Sequence, residues 1–330
     1  MRRQAKPIER WARTSLALGS LLGAAALLAP AGAGASWPGQ RGAIVFEAYR
    51  LGGEEAAAEE GKGIWSSPGA GVPFAQVRRL TRDPSDADPQ VSPDGRWIVF
   101  SRGVAPSAGG EPTASAIFRM RSDGGALAPV TDGLHSDGRP VFLASGKRIL
   151  FQRDGLSPTY GDLYSIGVDG TGLRQVTSGS ADDRNPAASA DGRTIAFERG
   201  RHIFTARPSG AEPKDITPQL PRSEAAHSPD FSPSGDRIAF ARQGNVFITS
   251  ANGKGPRRVT GFSFPRDGLG EPAYAPDGKS ILAVYTSPYR SSSLYLYRAR
   301  DRRIVNCVPV HLHLQIRAPA WGPSSQGRGC

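Results

Sequence analysis

The residues with the most chemical potential in this chain come one per repeat. Asp88, Arg139, Asn185, Ser228 and Glu271, with Ala318, each stand just before the inner strand of a repeating unit, and His227 lies beside Ser228. A ring of such mixed charge at a channel mouth suits a polar ligand or a peptide terminus; the plainer alternative is a solvated rim around water. Asp88, His227 and Glu271 could also converge for glycoside cleavage or metal-assisted chemistry, which needs paired carboxylates or a metal-held acid. Nothing in their spacing requires that convergence. His311 and His313 fall on one side of a strand, as a metal pair would, but a third ligand is missing nearby. Neither Asp182-Asp183 nor Asp86-Ala87-Asp88 matches a calcium loop. There is no nucleophile elbow, phosphate loop or dinucleotide fingerprint. No catalytic residue, metal or cofactor is assigned, and binding rather than turnover is the expected activity.

The elements that must hold this ring are read from the repeat. Ser92-Pro93-Asp94-Gly95 precedes Ile98-Val99-Phe100, and the unit returns around Gly146, Gly192, Gly235 and Gly278. These glycines are 51, 46, 43 and 43 residues apart, near the period of about 40–50 residues expected of propeller blades. Proline presets the first turn angle, Asp or Ser bonds its own backbone, and Gly accepts the left-handed corner. The following Ile-x-Phe alternates at period two, so both side chains face one side of a sheet. A second strand follows (Ile117-Phe118, Leu163-Tyr164, Ile203-Phe204, Val246-Phe247, Leu294-Tyr295), then an Asp-Gly or Asn-Gly turn, then an outer strand ending in Val-Thr or Ile-Thr. Four strands per unit, named A to D from the inside outward, make a propeller blade.

The ends complete the count. Ile44-Val45-Phe46, Ile64-Trp65 and Leu80-Thr81 read as strands B, C and D with no strand A, while Ala318-Pro319-Ala320-Trp321 reads as a strand A alone. The expected fold is therefore all-β: a six-bladed β-propeller of four-stranded blades, its ring closed by the C-terminal strand A joining the N-terminal strands B–D. Closure of this kind removes free sheet edges. The pattern Pro-x-aromatic-Ser-Pro-Asp-Gly, Ile-x-Phe, Ile-Tyr/Phe, Asp-Gly, Val-Thr resembles the TolB-type WD-repeat-like propeller repeat over nearly the whole mature chain. The resemblance implies the propeller fold and leaves that family's own partners in doubt here. It does not extend to the separate α/β domain that precedes the propeller in that family, so that domain's partner contacts are not carried over. Similar propellers in peptidases work beside a hydrolase domain, for which this chain has no sequence.

Residues 1–35 read as a secretion signal and 36–330 as the propeller. Arg2, Arg3, Lys6, Arg10 and Arg13 precede the apolar run Leu16 to Leu28 and an Ala33-Gly34-Ala35 cleavage pattern, and the run is short for a bilayer span of about 20 residues. The expected location is exported: periplasmic, cell-surface or extracellular, with membrane attachment only if the leader stays uncut. The leader carries a net +4 of the formal +11, leaving +7, which favours anionic polymers among the weaker partner candidates. Nucleic acid is a poor partner for an exported chain. The two cysteines, Cys307 and Cys330, are a candidate disulfide in an oxidising compartment, or a free pair.

Strand direction puts the A–B and C–D turns on one face and the B–C and D–A loops on the other. Long B–C stretches (Ala48 to Lys62, Gly103 to Ser115, Asp154 to Gly161, Thr286 to Ser292) form an arc on the loop face, and long D–A stretches (Pro218 to Ser228, Gly261 to Glu271) complete it. The expectation is an exported monomer that binds a protein or peptide partner of the cell envelope through this face and the channel mouth. The alternatives are a carbohydrate-acting lyase or hydrolase, a metal-dependent enzyme, or a binder of cell-wall polymer.

Overall fold

Glycine corners turn each repeat back on itself, and the alternating apolar strands between them pair into sheets. The computed structural model describes residues 41–50, 62–69, 76–104, 114–154, 161–221, 224–261, 268–287, 290–299, 304–308 and 314–323. The leader, Cys330, His311, His313 and most of the long B–C stretches lie outside these residues, and the side chain of Cys307 is likewise not described.

Blade 1 takes β1 (Arg41–Arg50), β2 (Gly63–Ser67) and β3 (Arg78–Arg79) from the start of the chain. Blade 2 is β4 (Ala87–Val91), β5 (Trp97–Val104), β6 (Ala114–Arg121) and β7 (Ala128–Pro129). Blade 3 is β8 (Asp137–Phe142), β9 (Arg148–Asp154), β10 (Gly161–Gly167) and β11 (Arg174–Gln175). Blade 4 is β12 (Asp183–Ala188), β13 (Ile195–Arg199), β14 (His202–Ala206) and β15 (Lys214–Asp215). Blade 5 is β16 (Ala226–Phe231), β17 (Arg237–Arg242), β18 (Asn245–Ser250) and β19 (Arg257–Arg258). Blade 6 is β20 (Gly268–Tyr274), β21 (Ser280–Ser287), β22 (Arg290–Arg298) and β23 (Ile304–Val308). The last strand, β24 (Leu314–Pro323), pairs antiparallel with β1, so the blade 1 sheet runs β24-β1-β2-β3. The protein is an all-β propeller of six four-stranded antiparallel blades.

The core lies between blades. Phe46, Phe100, Phe151, Phe197 and Phe240 of the B strands are fully buried, each stabilising the fold by about 1.5–3 kcal/mol. Phe100, Phe197 and Phe240 stack across the sheet on Phe118, Phe204 and Phe247, with ring centroids 5.7–6.1 Å apart. One apolar cluster joins Val45 and Ile64 of blade 1 to Val91, Ile98 and Phe100 of blade 2, and the next joins Val99 and Ile117 to Phe142, Ile149 and Phe151.

Two repeat residues have tasks beyond packing. The outer-strand threonines Thr81, Thr131, Thr177, Thr217 and Thr260 accept the N–H of Ile64, Ile117, Leu163, Ile203 and Val246 at 2.9–3.0 Å. In blades 1 to 5 the outer strands pair over only two residues, and the hydroxyl supplies the acceptor that the short ladder lacks. The glycines of the C–D turns sit against the neighbouring blade: Gly170 (φ +83°) against the Val130 carbonyl, Gly210 (φ +84°) against that of Val176, Gly253 (φ +87°) against that of Ile216. A side chain there would meet backbone as well as a disfavoured φ.

The loop face also carries a buried latch that repeats. Arg102, Arg153 and Arg199, near the ends of their B strands, make two hydrogen bonds each to Asp86, Asp137 and Asp183, all at 2.6–2.8 Å. Each guanidinium lies over the aromatic pair of its own blade, 4.9–5.5 Å from the ring centroids. In blade 5 Arg242 pairs instead with Glu224 and lies over Phe247.

Candidate functional site

The inner strands share a defect. Between Ala87 and Gln90, Gly138 and Val141, Arg184 and Ala187, His227 and Asp230, and Gly270 and Ala273, the pairing with the B strand slips at a bulge. The bulged pair is in every case a residue followed by proline: Asp88-Pro89, Arg139-Pro140, Asn185-Pro186, Ser228-Pro229 and Glu271-Pro272. Proline has no N–H to give a ladder, and a bulge is where a strand tolerates it. The preceding residue takes the left-handed conformation, with φ of 53°, 50°, 49°, 53° and 49°, costing about 1–3 kcal/mol for a residue that is not glycine.

The expectation placed these five residues just before the inner strands. They lie inside them, because the bulge lets a strand run on past a proline. The D–A connections are correspondingly shorter, with β16 beginning at Ala226 and β20 at Gly268.

One cavity of about 90 Å³ is lined by all five bulge residues together with Gln90, Asp230, the prolines that follow four of them (Pro140, Pro186, Pro229 and Pro272), Pro319 and Ala320. His227 is not among its lining residues; it sits one position ahead of the bulge and contacts Ser228 Oγ through Nδ1 at 3.4 Å. The side chain of Ala318 is outside what the structure describes.

Arg139 spans the opening. Its Nη1 is 3.0 Å from Asp88 Oδ1 on the adjoining blade and 3.5 Å from Glu271 Oε1 on blade 6, opposite in a ring of six. Its side chain keeps 39% of its surface exposed. Asp88 chiefly raises the affinity of this guanidinium for its proton; burial works against that, and Glu271, Glu198 and Glu47 add to it. Glu198 Oε1 accepts from Asn185 Nδ2 at 2.6 Å and from the Ser228 N–H at 2.5 Å, tying blade 4 to blade 5. Ser101 Oγ donates to Asp88 Oδ2 at 3.2 Å.

Glu47, Glu198 and Ser101 were not in the expected ring. All three directly follow a B-strand Phe (Phe46, Phe197, Phe100), and that position reads Glu, Ser, Gln, Glu, Ala through blades 1 to 5. This variability beside a Phe shared by those five blades was the available signal. Among the described residues no group of three or more His, Cys, Asp or Glu is arranged to hold a metal, and no helix is long and apolar enough to cross a membrane.

The fold is that of a TolB-like six-bladed propeller. The structure superposes on TolB from Acinetobacter baumannii with a TM-score of 0.64 at 18% identity, over 86% of this chain and 67% of that one. It is similar to the Kuenenia stuttgartiensis hydrazine synthase (TM-score 0.69, 16% identity, 90% of this chain and 49% of that one). It is also similar to a chain of a nidogen/laminin complex (TM-score 0.60, 11% identity, 86% of this chain and 100% of that one). Peptidase and lyase propellers share the architecture as well. At such identities the likeness concerns the fold alone. No protein-family model matches the sequence, and no curated protein does.

Proposed function

We propose that this chain is an exported binding propeller, without turnover, that takes the end of a protein or peptide partner into its channel mouth. The observation that carries the reading is the size and lining of the cavity. Small-molecule sites usually enclose about 300–1,000 Å³, whereas this one offers about 90 Å³. That is room for a chain terminus or a side-chain tip, with the rest of the partner left to lie on the loop face. Arg139 stands among Asp88, Glu271, Glu198 and Glu47, so among the described residues carboxylates outnumber the cation and the mouth favours an ammonium or guanidinium group. Each bulge residue is held by strained backbone, which fixes where its side chain starts and limits the entropy lost on binding. Export rests on the leader pattern of residues 1–35.

The test is crosslinking in intact cells expressing the tagged full chain, with Asp88→Asn, Arg139→Gln and Glu271→Gln combined as the comparison. These changes remove the charge at near-constant side-chain size, and Asn is at home in the left-handed conformation. A protein crosslinked by wild type and at least tenfold less by an equally stable variant is the expected result. Equal capture by both, or none by wild type, overturns the assignment of the mouth as the binding site.

A further inference from the structure

The opposite face, made of the A–B and C–D turns, has a different chemistry. Immediately after the glycine of the A–B turn, or one residue later, the described blades place a base: Arg96, Lys147, Arg193, Arg237 and Lys279, all exposed. The acids of these turns bond within their own turns, although Asp191 and Asp236 keep 50% and 61% of their side-chain surface exposed. Asp94 accepts from Ser92 Oγ and the Arg96 N–H, Asp191 from Ser189 Oγ and the Arg193 N–H, and Asp277 from the Lys279 N–H. Asp123, Asp169 and Glu212 of the C–D turns are exposed as well, but among the described residues of this face the exposed bases outnumber the exposed acids. Farther from the axis, Arg121 and Lys254 of the C–D turns are exposed too.

Apolar tips stand among these bases. The C–D turn of blade 2 rounds a left-handed corner at Ala126 (φ 53°) and that of blade 3 at Gly172 (φ 63°). The next residue in each is a leucine, Leu127 and Leu173, both 46% exposed. In blades 4 and 5 the same corner is followed by Pro213 and Pro256. Of the three large hydrophobic side chains exposed among the described residues, two are these neighbours, and the third, Leu134 (78%), belongs to a D–A loop. Between the two leucine-bearing blades on this face lies a groove of about 290 Å³ lined by Trp97 and Arg119, the guanidinium 5.2 Å from the ring centroid.

We propose that the turn face docks on an anionic lipid bilayer, with Leu127 and Leu173 reaching past the headgroups, Trp97 and Arg119 at the interface, and the ring of bases over the phosphates. The turns are short and alike from blade to blade, so their bases lie in one flat layer, which complements a plane rather than a threaded polymer. Bases near a surface, apolar tips and a Trp at the boundary are each favourable on an anionic bilayer. The loop face, with its carboxylate-rich mouth, would then point away from the membrane. This inference uses a different surface from the proposed partner site and stands or falls separately from it.

The test is co-flotation of the full chain with phosphatidylcholine vesicles containing about 30% phosphatidylglycerol, against pure phosphatidylcholine. Two variants are compared with wild type: Arg121→Glu with Lys147→Glu, and Leu127→Ser with Leu173→Ser. The apolar leader is present in every sample and cancels from the comparison. Each base lost weakens binding about fivefold, so the charge variant binds at least about 25-fold more weakly, and added salt removes the difference. The serine variant loses about tenfold per leucine, and Leu134→Ser on the loop face binds as wild type does. All variants change exposed residues, and matched melting curves confirm that they fold. Wild type binding both vesicles alike, or the variants binding the anionic vesicles as wild type does, refutes the proposal. Binding to soluble polyglutamate but not to vesicles refutes the bilayer as the surface.

Discussion

Replacing Arg153 with Met tests the loop-face latch directly. Arg153 Nε and Nη2 bond Asp137 Oδ1 and Oδ2 at 2.6 and 2.8 Å, and the two side chains are only 9% and 0% exposed. Methionine keeps most of the volume over Phe151 and Tyr164, so the loss is mainly that of the charge partner. Removing one member of a buried ion pair costs about 3–5 kcal/mol, because the other stays desolvated and uncompensated. The cation–π contact adds about 0.5–2 kcal/mol to the loss. At about 2 °C per kcal/mol for a chain of this length, the melting temperature should fall by about 7–14 °C. Removing both charges, as Arg153→Met with Asp137→Leu, should recover most of that fall, since apolar replacement of a buried pair is often neutral. Arg193→Met, at an arginine 86% exposed, should change stability by less than about 0.5 kcal/mol. The assay is thermal unfolding followed by far-ultraviolet circular dichroism, with urea titrations to check that the slope is unchanged. If Arg153→Met melts within about 2 °C of wild type, or the double variant is no better than the single, the latch does not act as a buried pair.

Thr217→Val leaves the Ile203 N–H without its acceptor in a fully buried position, and urea unfolding should show a loss of about 1–3 kcal/mol. Asp236 is held below the ordinary carboxylate range, first by the Ser234 hydroxyl and then, against the effect of burial, by that of Ser232. A carboxylate with a depressed folded-state pKa stabilises fully above its unfolded value of about 3.9 and loses that contribution as pH falls through the folded value. The melting-temperature gap between wild type and Asp236→Asn should therefore be widest above about pH 4 and close below it.

Much of the fold could be read because the repeat exposes its own logic. Gly95 and Phe100 recur five residues apart in blades 2 to 5, and Thr131 recurs at the outer strand of each, since turn, inter-blade packing and the missing outer-strand acceptor each admit few residue types. The site was harder. Asp88, Arg139, Asn185, Ser228 and Glu271 were visible as a ring, but the proline after each argued for a strand beginning there, and only the bulge lets the strand start earlier. His227 drew attention by its type, yet it stands beside the cavity, one position ahead of the bulge, rather than on it. Glu198 and Glu47 went unnoticed because they follow the most regular residue of the repeat, where attention falls on the Phe.

The bulges carry a consequence for how such a chain can change over generations. The side chains that hold the propeller together and those that face the mouth belong to separate positions in every blade. An exchange of Asn185 for Asp, or of Ser228 for Asn, rewrites the chemistry of the opening while leaving Phe197, Thr217 and Gly210 untouched. A single codon per blade therefore sets what the opening presents, in an alphabet narrowed to residues that tolerate a left-handed backbone. New recognition can be composed one letter at a time on an unaltered scaffold.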